Sequence, residues 1–511
     1  MKWGASHQGT KSWIYILLIL ATISVTYVPV IASDYAYADD YWLLSMRPLN
    51  SKTISDTIHN QFDVGRPLFP IWSLLVMGQV KGIQDLRFVR CLALVGLFFA
   101  SVVFYQLIRR HLFEDPIDAS LIACIFSISP ASLIMAGWAT LGFYPYACLL
   151  GLLSGHVLLL DARFNAPSSK GDSNSETATI AGPAWGRMAL SALLLFLALS
   201  IYQPTGMLYW TGAAIWIIGR FTGHREDWIK LARIGGVFFA VLIAYFLFSS
   251  TLAASDSRFH ASLSVIRRLV WFVLNPLKNS LSFPLLQASD LWSIAALLIL
   301  SFGVWLFCRQ TSRSMWIPPL LLMLSPLTVL PTVFAYQHYD VSRTRQALYA
   351  LIIILWCLTF KAISRYGGDS IKLKHILISA LLILIVSGQY HLQRYLVISQ
   401  LREESVLLVK LQEYVRENPK LDRLIVLFPP PLSPPMTEFH GTDEMGFSTL
   451  SRHGDPSYEI RQLLAGITNQ GYEDVPDIKL LTIYEDRMPP QSSEIPPDAF
   501  YIDLRQLRAP P

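Results

Sequence analysis

Charge is scarce in this sequence. Of 511 residues only 15% are charged, whereas 53% are hydrophobic; an ordinary soluble domain carries about a quarter charged residues. One oversized soluble core cannot account for the deficit, because single cores stop growing near ~250–300 residues. A bilayer removes that limit by replacing water as the solvent for apolar faces. Cysteine is scarce too. Cys91, Cys124, Cys148, Cys308 and Cys357 lie in or beside apolar runs with no CxxC spacing, which excludes a disulfide framework and a thiolate metal site and leaves small apolar fillers. P-loop, dinucleotide-binding glycine fingerprint, HExxH and GxSxG are all missing, so ATP-driven work finds no foothold. The net charge of +5 is thin and dispersed. It reads as a topology signal rather than a nucleic-acid footprint, and no nucleic-acid partner is expected.

What is present in quantity is apolar sequence. Runs long enough to span a bilayer recur near 13–32, 88–108, 117–136, 141–160, 188–204, 206–219, 234–253, 291–308, 316–334, 346–363 and 375–388. They predict about eleven transmembrane helices. The first run is longer than the ~7–15-residue apolar core of a signal peptide and is read as a retained helix.

Lys and Arg in the short loops set the orientation. With Lys2 and Lys11 in the cytoplasm, the loops on that side carry Arg109-Arg110, Arg163/Lys170/Arg187, Arg220/Arg225/Lys230/Arg233, Arg309/Arg313 and Lys361/Arg365/Lys372/Lys374. An odd number of spans then puts the C-terminus outside. The 168–181 stretch, rich in Ser, Thr, Gly and Asn, reads as a flexible cytoplasmic linker.

Composition shifts after about Tyr390. Residues 1–390 form the expected transmembrane domain, with an outer loop at 33–87 whose apolar stretch to Val80 suggests an interfacial or re-entrant helix. In 391–511, helical periodicity at 406–417 and β-rich runs at 424–428, 480–484 and 500–504 predict a small outer α/β domain. The fold class expected is an all-α polytopic membrane protein with this small α/β appendage.

The chemistry-bearing residues gather in the outer loops. Tyr37-Ala38-Asp39-Asp40-Tyr41 sets two carboxylates side by side. Mutual repulsion raises one pKa, and such a group can take a proton from an attacking hydroxyl; the alternative is a helix cap. In Asp63-Val64-Gly65-Arg66-Pro67-Leu68, Arg66 suits a phosphate near the membrane surface, or a snorkelling anchor. The Tyr336–Gln346 loop offers His338, Asp340, Arg343 and Arg345, and its two arginines suit a clamp on a lipid-linked phosphate. Tyr202 and Gln203, at the outer end of the fifth run, suit hydrogen bonds to a sugar, although an aromatic belt explains the tyrosine equally. Asp39 and Asp40 are too thin a set of oxygen ligands to predict a metal, so no cofactor is expected. The Gly441–Ser448 segment adds two acids near glycines, a pattern also met in surface turns.

Ala38-Asp39-Asp40-Tyr41, then Gly65-Arg66-Pro67-Leu68, then Ser200-Ile201-Tyr202-Gln203-Pro204 resemble the bacterial membrane glucosyltransferases that modify O-antigen. Those proteins are similar to the GT-C class of polyprenol-dependent glycosyltransferases. Asp443-Glu444-Met445-Gly446 is similar to an acidic-glycine segment in the outer tail of such proteins. The resemblance implies a GT-C-like fold in the cytoplasmic membrane and transfer of a hexose, glucose first, from a polyprenyl-phosphate donor to a cell-surface glycan acceptor of the lipopolysaccharide kind. It further implies that Asp39, then Asp40, is the base or acceptor-orienting acid, and that Arg66, Arg343 and Arg345 hold the leaving phosphate. Two rivals stay open: a polysaccharide polymerase or ligase using lipid-diphosphate glycans, and a lipid-glycan transporter or flippase. The acidic pair so soon after the first helix favours the transferase. The near absence of ionisable residues inside the spans counts against transport.

Overall fold

The computed structural model describes residues 12–37, 39–45, 51–159, 184–252, 265–282, 290–334, 340–366, 373–417, 423–428, 457–468, 479–484 and 500–503. His338, the 168–181 linker and the Gly441–Ser448 segment lie outside the described residues.

Each apolar run falls on helix, usually cut where proline or glycine interrupts the backbone ladder. The chain begins with α1 (Ser12–Thr26) and α2 (Val28–Ala32), then enters the first loop with α3 (Asp39–Ser45), α4 (Ser51–Asp63) and α5 (Phe69–Leu75). The central bundle follows: α6 (Leu86–His111), α7 (Pro116–Ser127), α8 (Pro130–Gly137), α9 (Tyr144–Leu159), α10 (Ala184–Ile201), α11 (Gln203–Gly206), α12 (Leu208–Arg220) and α13 (Arg225–Leu252). Then come α14 (Val265–Phe272), α15 (Lys278–Ser282), α16 (Asp290–Gln310), α17 (Ile317–Leu324), α18 (Leu330–Phe334) and α19 (Gln346–Tyr366), the last of which packs into the bundle against α7 and α12.

Among the described residues, six helical stretches are long and apolar enough to cross a bilayer, or seven if α7 and α8, bent by 55° at Ile128-Ser129, count as one; α1, Trp185–Ile201 and Ile317–Val333 are apolar but shorter. The protein is therefore a multi-pass helical membrane protein. Large apolar side chains point outward on the spanning helices, such as Ile243 and Leu247 of α13 and Leu298 of α16, as lipid allows and water does not.

Around the centre of the bundle, α6 packs on α7 and α9, α9 on α10 and α12, and α16 on α19. Glycine permits the closest of these approaches. A Cβ on Gly151 of α9 would lie 2.8 Å from the Gly206 carbonyl oxygen of α11, and one on Gly155 would lie 3.0 Å from the Tyr209 carbonyl oxygen. That contact brings the short α11 segment, and Tyr202 before it, against α9.

The last membrane helix, α20 (Leu373–His391), does not stop where the composition changes. It continues through a π-helical stretch, Leu392–Ile398, into α21 (Ser399–Glu417). Beyond it lie β1 (Arg423–Phe428), α22 (Ser457–Thr468), β2 (Lys479–Tyr484) and β3 (Phe500–Asp503). The strands form a parallel sheet in the order β2-β1-β3, with Leu424 opposite Leu480 and Phe500. Helix α22 packs on α21 and on α3, so this C-terminal helix reaches back to the helix that begins with Asp39.

Candidate functional site

The two adjacent acids fare differently. Asp39 is exposed at the start of α3, whereas Asp40 is fully buried. Asp40 Oδ2 accepts a hydrogen bond from the Tyr37 backbone N–H at 3.1 Å, and Oδ1 accepts from the Thr140 backbone N–H and hydroxyl, both at 2.7 Å. The Asp40 N–H in turn donates to the Tyr37 carbonyl at 3.0 Å. This reciprocal pairing sets the first turn of α3, as side chains do at helix starts. Burial raises the Asp40 carboxyl above its ordinary range, while Arg90 and the Thr140 and Tyr37 donors pull it partly back. The cause is therefore desolvation and not repulsion between neighbouring acids, the reason expected from sequence.

Arg90 is the partner that sequence reasoning missed. Its guanidinium, fully buried near the start of α6, lies 3.7 Å from Asp40 Oδ2 and 3.6 Å from the centre of the Tyr35 ring. Nε donates to the Gly137 carbonyl at 3.2 Å and Nη2 to the Tyr35 carbonyl. The Tyr35 hydroxyl donates to the same Gly137 carbonyl. A charge this deep is costly unless paired; the available signal was an arginine within an otherwise apolar run.

From Asp40 the site continues through aromatic rings. Tyr37 meets Trp138 edge-on with ring centres 5.1 Å apart, and the Arg343 guanidinium lies 4.8 Å from the Trp138 ring. Arg343 sits on the 3₁₀ turn Ser342–Arg345, which packs between α8 and α11. Buried Gln346 fastens that turn: its Nε2 donates to Ser132 Oγ and its Oε1 accepts from Ser129 Oγ, each at 3.0 Å. Arg345 is fully buried, 3.3 Å from Asp340 Oδ1 and with Nη2 donating to Ser342 Oγ at 3.2 Å. Asp340 also accepts from Asn279 Nδ2 at 2.7 Å. Arg345 thus braces the turn from within, and Arg343, also buried, lies over the Trp138 ring.

Arg66 has its own aromatic seat. Its guanidinium lies 5.0 Å from the Tyr202 ring and 5.7 Å from the Tyr144 ring, and those two rings stack 3.8 Å apart. Cation–π contacts of this kind contribute about 0.5–2 kcal/mol. The turn that aims Arg66 follows from local chemistry. Gly65 has φ +71°, its N–H donates to the Phe62 carbonyl at 2.9 Å, and the Arg66 N–H donates to the Gln61 carbonyl at 2.8 Å. This is the Schellman ending of a helix, which favours glycine in the left-handed position. Gln203 Nε2 donates to the Gly65 carbonyl at 2.6 Å, and the Tyr245 hydroxyl donates to it as well. Gln203 therefore holds the arginine's turn, a role different from the sugar contact expected of it. Replacing Gly65 by Ala is expected to cost about 1–2 kcal/mol, the penalty of the left-handed conformation for a side chain, read as a lowered thermal midpoint in detergent.

The structure thus joins Asp40 to the Arg343 turn through Tyr37 and Trp138, with Asp39 next to Asp40 in α3. It links Arg66, Tyr202 and Gln203 to the same turn through α11. Among the described residues no three His, Cys, Asp or Glu side chains converge as a metal site. Fold and site together define a multi-pass helical membrane protein with an acid–cation cluster at one end of its bundle. No family model matches the chain, and no curated protein matches it.

Proposed function

We propose that the protein is an inverting GT-C-type glycosyltransferase that moves a hexose, glucose first, from a polyprenyl-phosphate donor to a cell-surface glycan on the outer side of a bacterial cytoplasmic membrane. The observation that supports the reading is the Asp40–Tyr37–Trp138–Arg343 chain of contacts, which ties the helix start carrying the exposed Asp39 to a cation lying over an aromatic ring.

In this reading an acceptor hydroxyl oxygen attacks the anomeric carbon while Asp39 takes its proton. The bond from that carbon to the phosphate oxygen breaks, and polyprenyl phosphate leaves with one more negative charge. Arg343 and Arg66 meet that charge where fixed cations help most. Arg345, Tyr202 and Gln203 belong to the same substrate region, with Arg345 and Gln203 shaping the turns that present the cations; His338 is kept in the proposal on its sequence position alone. No cofactor is invoked.

The proposed topology has about eleven spans, counting the apolar helices too short to pass on length alone, with a cytoplasmic N-terminus and the C-terminal sheet and α22 outside as a small α/β domain. Basic residues at the ends of α6, α12, α16 and α19 support that orientation.

The test is transfer in liposomes holding the purified protein, polyprenyl-phosphate-linked labelled glucose and a lipopolysaccharide acceptor. Label is expected in the glycan, and none when UDP-glucose replaces the lipid donor. No transfer from any polyprenyl-phosphate hexose would overturn the proposal.

A further inference from the structure

The buried charge beneath the acid pair has a consequence for the reaction. Arg90 touches three groups on two segments at once: the Tyr35 carbonyl and the Asp40 carboxylate at the start of α3, and the Gly137 carbonyl at the end of α8. Asp40 spans the same seam from the other side, bonded to Tyr37 and to Thr140. Between these anchors lie the two groups that face the site, Asp39 on one segment and Trp138 on the other. Two cross-links from oppositely charged, fully buried side chains thus span one seam. They tie the segment that carries the exposed acid to the segment that carries the ring under Arg343.

We propose that Arg90 is a positioning residue: acting through Asp40, it locks the Tyr35–Asp40 turn to the Gly137–Thr140 segment, so that Asp39 and Arg343 are held at a reactive spacing. The proposal rests on the reading of Asp39 as the base.

The chemistry of the pair supports a geometric role. A buried ion pair is often replaceable by apolar residues of similar volume at little or no loss of stability, whereas removing one partner strands the other. Nη1 of Arg90 is buried without a hydrogen-bond partner, so the guanidinium depends on Asp40 and its two carbonyls for its place. Arginine's planar fork, which reaches three partners in fixed directions, is not reproduced by lysine.

Three variants in the full-length protein test this. Arg90→Lys is expected to lower kcat by about 10–100-fold, the effect of a reacting group displaced by about an ångström, with KM for lipid donor and acceptor within about two-fold of wild type. The double variant Arg90→Met/Asp40→Leu is expected to regain the wild-type thermal midpoint while kcat stays low. Recovery of both stability and kcat in the double variant would reduce the pair to a structural element and overturn the proposal. So would a wild-type kcat in Arg90→Lys.

A third measurement needs no substrate. Ala36, fully buried in the seam, is changed to Cys in a Cys91→Ser background, Cys91 being the exposed native thiol, and labelled with a water-soluble maleimide. Adding Arg90→Gln is expected to speed labelling by about ten-fold or more as the seam opens locally; an unchanged rate counts against the lock. If the wild-type protein transfers no sugar from any polyprenyl-phosphate donor, the base assignment falls, and the labelling still decides whether Arg90 locks the seam.

Discussion

Asp39→Asn is expected to lower kcat for sugar transfer by about 10²–10⁴-fold, the usual contribution of a positioned general base, with KM for the lipid donor near the wild-type value. Asparagine keeps the size of the side chain and loses the proton acceptor. Because Asp39 is exposed, the change removes no buried contact, so the variant folds and the loss is read on chemistry alone. Asp40→Asn makes the necessary contrast. It leaves Arg90 beside a neutral group, and its effect is expected in thermal stability as well as in rate, since breaking a buried pair typically costs about 3–5 kcal/mol. Full activity in both variants, measured by transfer of labelled glucose in liposomes, would remove the acid pair from the reaction.

The second large effect is expected at Arg343. Replacing it by Ala removes the cation that lies 4.8 Å from the Trp138 ring and ends the contact chain from Asp40. The leaving phosphate gains its extra charge only as the bond breaks, so the loss falls on kcat and kcat/KM together, by about 10²–10³-fold, as for other preorganised charge-stabilising groups. Arg343→Lys is expected to recover part of this, keeping the charge while losing the planar stacking. A donor whose leaving group departs neutral, such as a glucosyl pyridinium, is expected to be nearly indifferent to the same substitutions. Equal losses with both donors would point to folding rather than to phosphate.

Much of the backbone was legible in the residues. The apolar runs fall on helices, and the β-rich segments at 424–428, 480–484 and 500–504 meet strands at Arg423–Phe428, Lys479–Tyr484 and Phe500–Asp503. Periodicity of apolar side chains is a local property, and local properties survive in a linear reading. Span length was harder to read, because breaks at Pro130, Pro204 and Pro326 divide apolar stretches into short pieces that still pack as a bundle. The helix likewise runs on through the change of composition near Tyr390.

The site was legible in its charges and not in their division of labour. Nothing near Asp40 in sequence says that it is buried, since the partners that bury it, Arg90 and Thr140, arrive from α6 and from the segment after α8. Arg343 and Arg345, two residues apart, looked like one clamp. The 3₁₀ turn sends Arg345 inward to Asp340 and lays Arg343 on Trp138. Trp138, Tyr144 and Gln346 were invisible because aromatic and amide residues within apolar helices carry no signal until the helices are packed together.

The helix from Leu373 to Glu417 has 45 residues. At about 1.5 Å per residue it is about 65–70 Å long, more than twice the ~30 Å hydrocarbon thickness of a bilayer. It is pinned part-way along, where Leu396 lies so near Gly137 that a Cβ there would come within 2.4 Å of it. More than half of the helix length is therefore left over once a bilayer has been crossed. On that surplus, in α21, packs α22, which also packs on α3. The surplus length thereby couples the end of the longest helix among the described residues to the helix that begins with Asp39.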